Sequence, residues 1–329
     1  MMIHNSQNVR GFKRKTIEKT IRQKLKSWYA SINDKELVKE IDENLVITGG
    51  AIASMLMGFN PNDYDIYFTN PQTATKVAKH YLQAYYGKET AKVSAIKVEE
   101  TPDGMGIAIF IKSAGFAQDE DSDFEEYRYF ESLPPSEMAR FFDSETEEEE
   151  QKTEKKKYRP IQISSNAITL TNDVQLVLRF CGNPATIHEF YDFVHCTNYY
   201  TKETGVVLNE KALEALLTKE LKYVGSKFPL CTMFRMKKFI KRGFTITAGE
   251  MMKIAWDINK LDLNDPNVLR EQLIGMDAAY FHQVLAMLKK EGWGTAGFEL
   301  DRTYLFEIVS RVFDTNDWDG GLEIEDHEG

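Results

Sequence analysis

The chain has 329 residues, 42% of them hydrophobic and 28% charged, which suits a soluble globular protein of two domains with a sizeable core. Its formal net charge of −10 argues against broad, non-specific nucleic-acid binding but leaves room for a local basic groove. Three scattered cysteines without a CxxC pair (Cys181, Cys196, Cys231) argue against a disulfide framework and a structural zinc, and no apolar run reaches the length of a membrane span.

The N-terminus (MMIHNSQNVRGFKRK) is basic but lacks the apolar core of a secretory signal, so a cytoplasmic location and no membrane partner are expected. Residues 8–42 read as helical, with Ile17, Ile21, Leu25 and Trp28 at helical spacing. Lys13, Arg14, Lys15, Lys19, Arg22, Lys24 and Lys26 occupy the other faces. They form either a solvated face of a packed helix or a contact surface for a nucleic-acid acceptor.

The stretch VITGGAIASMLMGFNPNDYDIYF follows. It reads as a short strand (Leu45–Thr48), a turn at Gly49 and Gly50, an apolar helix to about Met57, a polar turn, and a second strand carrying Asp63 and Asp65. Strand residues two apart share a face, so the two carboxylates project together and Tyr64, Ile66 and Phe68 alternate away. Adjacent carboxylates resist joint ionisation unless a cation lies between them, and oxygen-only ligands favour magnesium or manganese. Glycine permits close backbone approach, and a helix start offers N–H groups to phosphate. The plain alternative is a glycine turn with two solvated aspartates at a strand end.

Further on, Pro71–Tyr86 reads as a helix, and residues 91–98 and 106–112 as a hairpin turning at Thr101-Pro102-Asp103-Gly104. Residues 118–157 are charge blocks without periodicity, an acidic insertion that serves as exposed chain, a flap or a partner-binding segment. Strand or short-helix candidates resume at residues 159–164, 167–170 and 174–180. In the apolar run FYDFVHC, Asp192 is costly to bury unless paired or bound to a cation. His188, His195 and Cys196 match no zinc spacing and read as core or strand-edge residues.

From about Asn209 the pattern is helical: residues 210–221, 230–242 (stopped by Gly243), 249–259 behind the capping box Thr247–Glu250, then 265–274, 277–290 and 301–313, and an acidic tail. The expected division is an N-terminal helical segment (1–43), a catalytic domain (44–200), a helical domain (201–315) and the tail (316–329). The fold class is α+β, a mixed sheet with helices followed by an α-helical domain. In the helix FRMKKFIKR, Arg235, Lys238 and Arg242 share one face. They are either a solvated face or contacts for a triphosphate or acceptor backbone.

Gly49, Gly50, Asp63, Tyr64, Asp65 and Ile66 resemble, in order and spacing, the signature of the DNA polymerase β-like nucleotidyltransferase superfamily. The layout of a strand-rich domain followed by helices is similar to that of poly(A) polymerases, CCA-adding enzymes and oligoadenylate synthetases. Residues 44–68 and 159–244, ending in FRMKKFIKRGF, resemble nucleotidyltransferase-like proteins of tailed phages and large DNA viruses, which would put a viral protein in the host cytoplasm. The resemblance implies transfer of a nucleoside monophosphate from an NTP, with ATP expected, to an acceptor hydroxyl such as an RNA 3′ end. Asp63 and Asp65 would hold two Mg2+ (or Mn2+) ions and Asp192, with Glu189 as runner-up, would supply the third carboxylate on a later strand of the sheet. Gly49 and Gly50 would hold the triphosphate, with Lys238 and Arg242 as further contacts. Nucleotidyl transfer to a protein or small molecule, and a non-catalytic protein that kept the fold, remain alternatives.

Overall fold

The computed structural model describes residues 11–86, 96–111, 158–163 and 166–263, with 265, 268, 269, 271, 272 and 307. The acidic insertion and tail and the helix expected at 277–290 lie outside these residues, and of the helices expected at 265–274 and 301–313 only fragments are described. The fold is α+β. Its elements are α1 (Arg14–Ser31), α2 (Lys35–Asn44), β1 (Leu45–Thr48), α3 (Gly50–Leu56), β2 (Tyr64–Phe68), α4 (Pro71–Tyr86), β3 (Ile96–Glu100), β4 (Ile107–Ile111), β5 (Pro160–Ile163), β6 (Ala167–Leu170) and β7 (Val174–Cys181). There follow α5 (Pro184–His188), a 3-10 turn (Val194–Cys196), β8 (Tyr199–Thr201), β9 (Gly205–Val207), α6 (Glu210–Thr218), α7 (Pro229–Lys241) and α8 (Ala248–Asn259). Among the described residues no helix is long and apolar enough to cross a membrane.

The chain divides into two compact units. The first comprises Met1–His188 with Cys196–Asn209, and the second Glu189–His195 with Glu210–Gly329. The first is built on a mixed seven-stranded sheet of order β5-β6-β7-β2-β1-β8-β9, in which only β2 and β7 run parallel. The β3–β4 hairpin turns at Thr101–Gly104 as the sequence predicts, with Gly104 N–H bonded to the Thr101 carbonyl at 2.7 Å.

Alternation along the strands sorts the sheet into two faces. The cross-strand row Ile168, Leu176, Ile66, Ile47, Tyr200 and Val206 is buried throughout. It shares a core with the apolar stripe of α1 (Ile17, Ile21, Leu25, Trp28) and with Leu37, Ile41, Val77 and Tyr81 of α2 and α4. The buried Trp28 indole donates to the Tyr81 hydroxyl at 2.6 Å, which removes the cost of an unpaired indole N–H. Lys24 fixes α1 to the β6–β7 turn: its ammonium donates to the Asn172 carbonyl at 2.9 Å and lies 4.8 Å over the Tyr64 ring.

Three local expectations are revised. The long N-terminal helix is two helices, because Asp34 caps α2 by accepting from the N–H groups of Glu36 and Leu37. The capping box at α8 is half formed. Thr247 accepts from Glu250 N–H, but the Glu250 carboxylate accepts from Tyr223 N–H and from Lys253 instead of returning to its own cap. Asp192 lies on a bend, in no strand. The three cysteines are free thiols, and burial pushes those of Cys181 and Cys231 up to about 12.

Candidate active site

The β1–α3 turn is where the polar face of the first unit begins. Gly49 has φ +92° and ψ −146°, a conformation open essentially to glycine, and this reverses the chain from β1 into α3. Its N–H donates to the Cys196 carbonyl at 3.1 Å. That hydrogen bond commits the Gly49 N–H, which the sequence reading assigns to a triphosphate. A Cβ at Gly50, by contrast, would meet nothing within 4 Å, so the turn is open on that side.

Thr48, fully buried, anchors the turn from below. Its hydroxyl lies 2.8 Å from His188 Nε2, 3.0 Å from the Asn198 carbonyl and 3.3 Å from the Cys196 carbonyl. Burial lowers the His188 pKa to about 4, so the imidazole is neutral at pH 7. When the Thr48 hydroxyl donates to Asn198, His188 Nε2–H donates to Thr48. Asn198 is itself fully buried and its carboxamide oxygen accepts from Asn209 N–H, while its Nδ2 has no hydrogen-bond partner among the described residues.

Asp65 stands directly opposite Thr48 on β2 and opposite Gln175 on β7. The row therefore runs Thr169, Gln175, Asp65, Thr48, Tyr199 on the face away from the apolar row. Asp65 and Gln175 are half-buried. Asp63 is exposed, immediately precedes β2, and stands two residues from Asp65, in the same phase of the alternation. Gly49, Gly50, Asp63 and Asp65 all belong to the first unit, and the register places Asp65 directly across from Thr48, the residue before the turn. Among the described residues no three His, Cys, Asp or Glu side chains converge to hold a metal. Two carboxylates with the neutral amide of Gln175 alongside still make a hard-oxygen donor set of the kind magnesium takes, with other positions left to water and phosphate.

Asp192, Glu189, Lys238 and Arg242 belong to the second unit. Asp192 is 7% exposed. Its Oδ1 accepts from Thr232 Oγ1 and from an Arg235 terminal nitrogen, both at 2.9 Å, and its Oδ2 accepts from Arg235 Nε. The guanidinium fork of α7 therefore grips both oxygens. The backbone is held as well: Val224 N–H donates to the Asp192 carbonyl, and Phe193 bridges Tyr223. Glu189 is exposed, and Lys238 and Arg242 are half-buried on α7 and its C-terminal cap.

His195, 1% exposed, packs among Phe239 (4.4 Å), Phe244 (4.9 Å) and Phe193 (6.1 Å), and among the described residues neither ring nitrogen has a hydrogen-bond partner. Burial, with nearby Arg242 adding to it, lowers its pKa to about 4. Thr48 and Gln175 lie in the candidate site without having been singled out in the sequence, and His188, expected as a core or strand-edge residue, lies there with them. The signals were available for two of them, a polar residue closing an apolar strand just before Gly-Gly and a glutamine in the alternation VQLVL.

Comparison with known proteins gives one family and a set of distant structural likenesses. No curated protein sequence matches the chain. Among solved structures, the CCA-adding enzyme of Thermotoga maritima complexed with tRNA is 10% identical, with a TM-score of 0.41 over 94% of this chain and 67% of that one. The enzyme of Bacillus stearothermophilus in complex with CTP is 12% identical, with a TM-score of 0.35 over 83% of this chain and 55% of that one. At these scores the likeness says nothing of substrate or activity. Residues 19–219 match the profile of a family described as Gabija anti-defense 2 family protein. That match takes in well over half of the chain, from the middle of α1 to the end of α6, and the chain belongs to the Gabija anti-defense 2 family.

Proposed function

We propose that the chain is a divalent-cation-dependent nucleotidyltransferase that moves a nucleoside monophosphate from an NTP to an acceptor hydroxyl and releases pyrophosphate. The observation that carries this is the placement of Asp65 in register with Thr48, with Asp63 in phase, beside the open Gly50 turn. Asp63 and Asp65 would hold Mg2+ or Mn2+, which supplies charge neutralisation on the triphosphate and a lowered pKa for the acceptor hydroxyl. The protein's own part is to position these groups: Thr48 and His188 fix the turn, and the sheet fixes Asp65. Asp192 supports its loop in this reading, because Arg235 already neutralises it. The family description adds the setting, action against the Gabija defence. The acceptor is an RNA 3′ end or a hydroxyl on a protein or small molecule.

A second reading, a non-catalytic protein that binds through the same fold, is favoured by one feature. The strand beside Asp65 presents Gln175, an uncharged side chain, where a third carboxylate would assist transfer. The deciding experiment incubates the protein with each labelled NTP, Mg2+ or Mn2+, and either total RNA or a cell extract. Pyrophosphate release that disappears in Asp63→Ala/Asp65→Ala supports transfer, and the labelled species identifies the acceptor. No release with any NTP leaves the binding reading.

A further inference from the structure

We propose that the outward face of α1 binds the phosphate backbone of a nucleic-acid strand. Between Lys13 and Lys26 the sequence holds seven cations and one anion, in a chain of net charge −10. The structure sorts them. Lys24 is committed to the Asn172 carbonyl, and Arg22 pairs with Glu18 at 2.8 Å while lying near the Tyr200 ring. Lys13, Arg14, Lys15, Lys19 and Lys26 are exposed. Lys15, Lys19, Arg22 and Lys26 follow one another at spacings of four, three and four, a single stripe that lines a shallow groove with Glu18 and Gln23. The stripe spans about 16 Å, the rise of about five nucleotides of one strand.

This arrangement works against the helix that carries it. Like charges three and four residues apart repel along a helix face. Lys13 sits at the N-cap without a capping bond, and the first turn has no acid and two cations, where the helix dipole favours anions. Local rules broken together on an exposed face, with Glu18 the single acid of α1 to offset them, mark a face shaped by a ligand. The ligand must be anionic and extended. The apolar side of α1 is buried in its own core, and Thr16, Gln23 and Ser27 separate the cations, so nothing apolar is left to enter a lipid surface.

The proposal rests on charge and exposure, and stands whether or not the chain transfers nucleotides. Its test is fluorescence anisotropy of labelled 20-nucleotide RNA and DNA strands with the full chain at 50–200 mM KCl. Five phosphate contacts give a slope of log K on log salt of about −3.5 for a single strand. Lys15→Gln/Lys19→Gln/Lys26→Gln should weaken binding at least about tenfold and flatten the slope by about 2, with the circular dichroism spectrum unchanged. Lys35→Gln/Lys39→Gln on α2 should leave binding intact. No binding at 50 mM KCl overturns the proposal. So does a triple variant that binds like the wild type, an equal loss in the α2 variant, or capture by anionic vesicles but not by strands.

Discussion

Two carboxylate sites in this chain read alike in sequence and differ in structure. Asp65 and Asp192 each sit between apolar neighbours, and each invites the expectation of a metal ligand. In the first unit, Asp65 lies half-buried beside Thr48 and Gln175, on the polar face of a sheet whose other face is packed. In the second, Asp192 is buried, and its charge is matched by a bidentate arginine 43 residues later. The apolar flanks only say that a carboxylate is near a core. What it does there depends on what meets its charge, which for Asp192 is the guanidinium fork of Arg235.

The largest effect that would test this contrast is on transfer. Asp63→Ala/Asp65→Ala should lower Mg2+-dependent pyrophosphate release at least about 10³-fold, about 4 kcal/mol of transition-state stabilisation. The midpoint of urea unfolding should barely move, because Asp63 is exposed and Asp65 half-buried. A variant that keeps its turnover would remove the distinction between the sites.

Asp192→Ala should do the reverse. Arg235 would lose its bonds to both carboxylate oxygens, at a cost of about 3 kcal/mol in urea unfolding, toward the low end for buried pairs because Arg235 is 32% exposed. Combining it with Arg235→Met should cost clearly less than the sum of the two single changes, since the second relieves what the first exposes. Additive losses would mean that the pair is not coupled.

Two histidines, His195 buried and His188 half-buried, carry the comparison to a pH axis. His195 titrates near 6.5 when unfolded and at about 4 when folded, so the unfolded chain takes up the proton between these values. Its contribution is complete above about pH 6.5 and is lost as pH falls towards 4, with a slope of up to about 1.4 kcal/mol per pH unit. His195→Leu should flatten the fall by about 2 kcal/mol between pH 6.5 and 4.5. It should not destabilise at pH 7, because it removes two buried nitrogens without hydrogen-bond partners among the described residues. The remaining slope would belong in part to His188, which is lowered in the same direction but keeps Thr48 as a partner. An unchanged profile in His195→Leu would place the acid sensitivity elsewhere.

The local parts of the candidate site were legible in the sequence because they depend on near neighbours. Strand, Gly-Gly, helix and Asp-x-Asp are adjacent in the chain, and the Thr101–Gly104 turn follows from four residues. The parts that were not legible are set at a distance. Phe190–Cys196 has the composition of a strand but forms a bend and a 3-10 turn, and Asp192 there is held by Arg235 on α7. Strands β8 and β9 have three residues each, too few for alternation to show, yet they complete the sheet beside β1, and the segment leading into β8 supplies the Cys196 and Asn198 carbonyls near the Thr48 hydroxyl. Gln175 could be seen as an alternating residue, but only the parallel pairing of β2 with β7 puts it next to Asp65.

The smallest predicted effect comes from the glycine pair, where two identical neighbours should behave differently. Gly49→Ala forces an L residue to φ +92° and should cost about 1–3 kcal/mol in unfolding. Gly50→Ala adds a methyl group into open space at the first position of α3, where alanine is the better helix former, and should change stability by less than about 0.5 kcal/mol. That silence makes it informative about the ligand. A triphosphate lying against the open side of Gly50 would meet the new methyl, so KM for the NTP should rise severalfold while the unfolding midpoint stays fixed. A KM equal to that of the wild type would place the phosphates elsewhere. With the Gly49 N–H already committed to Cys196, the turn would then be a structural hinge, and Asp63 and Asp65 alone would carry the case for nucleotide chemistry.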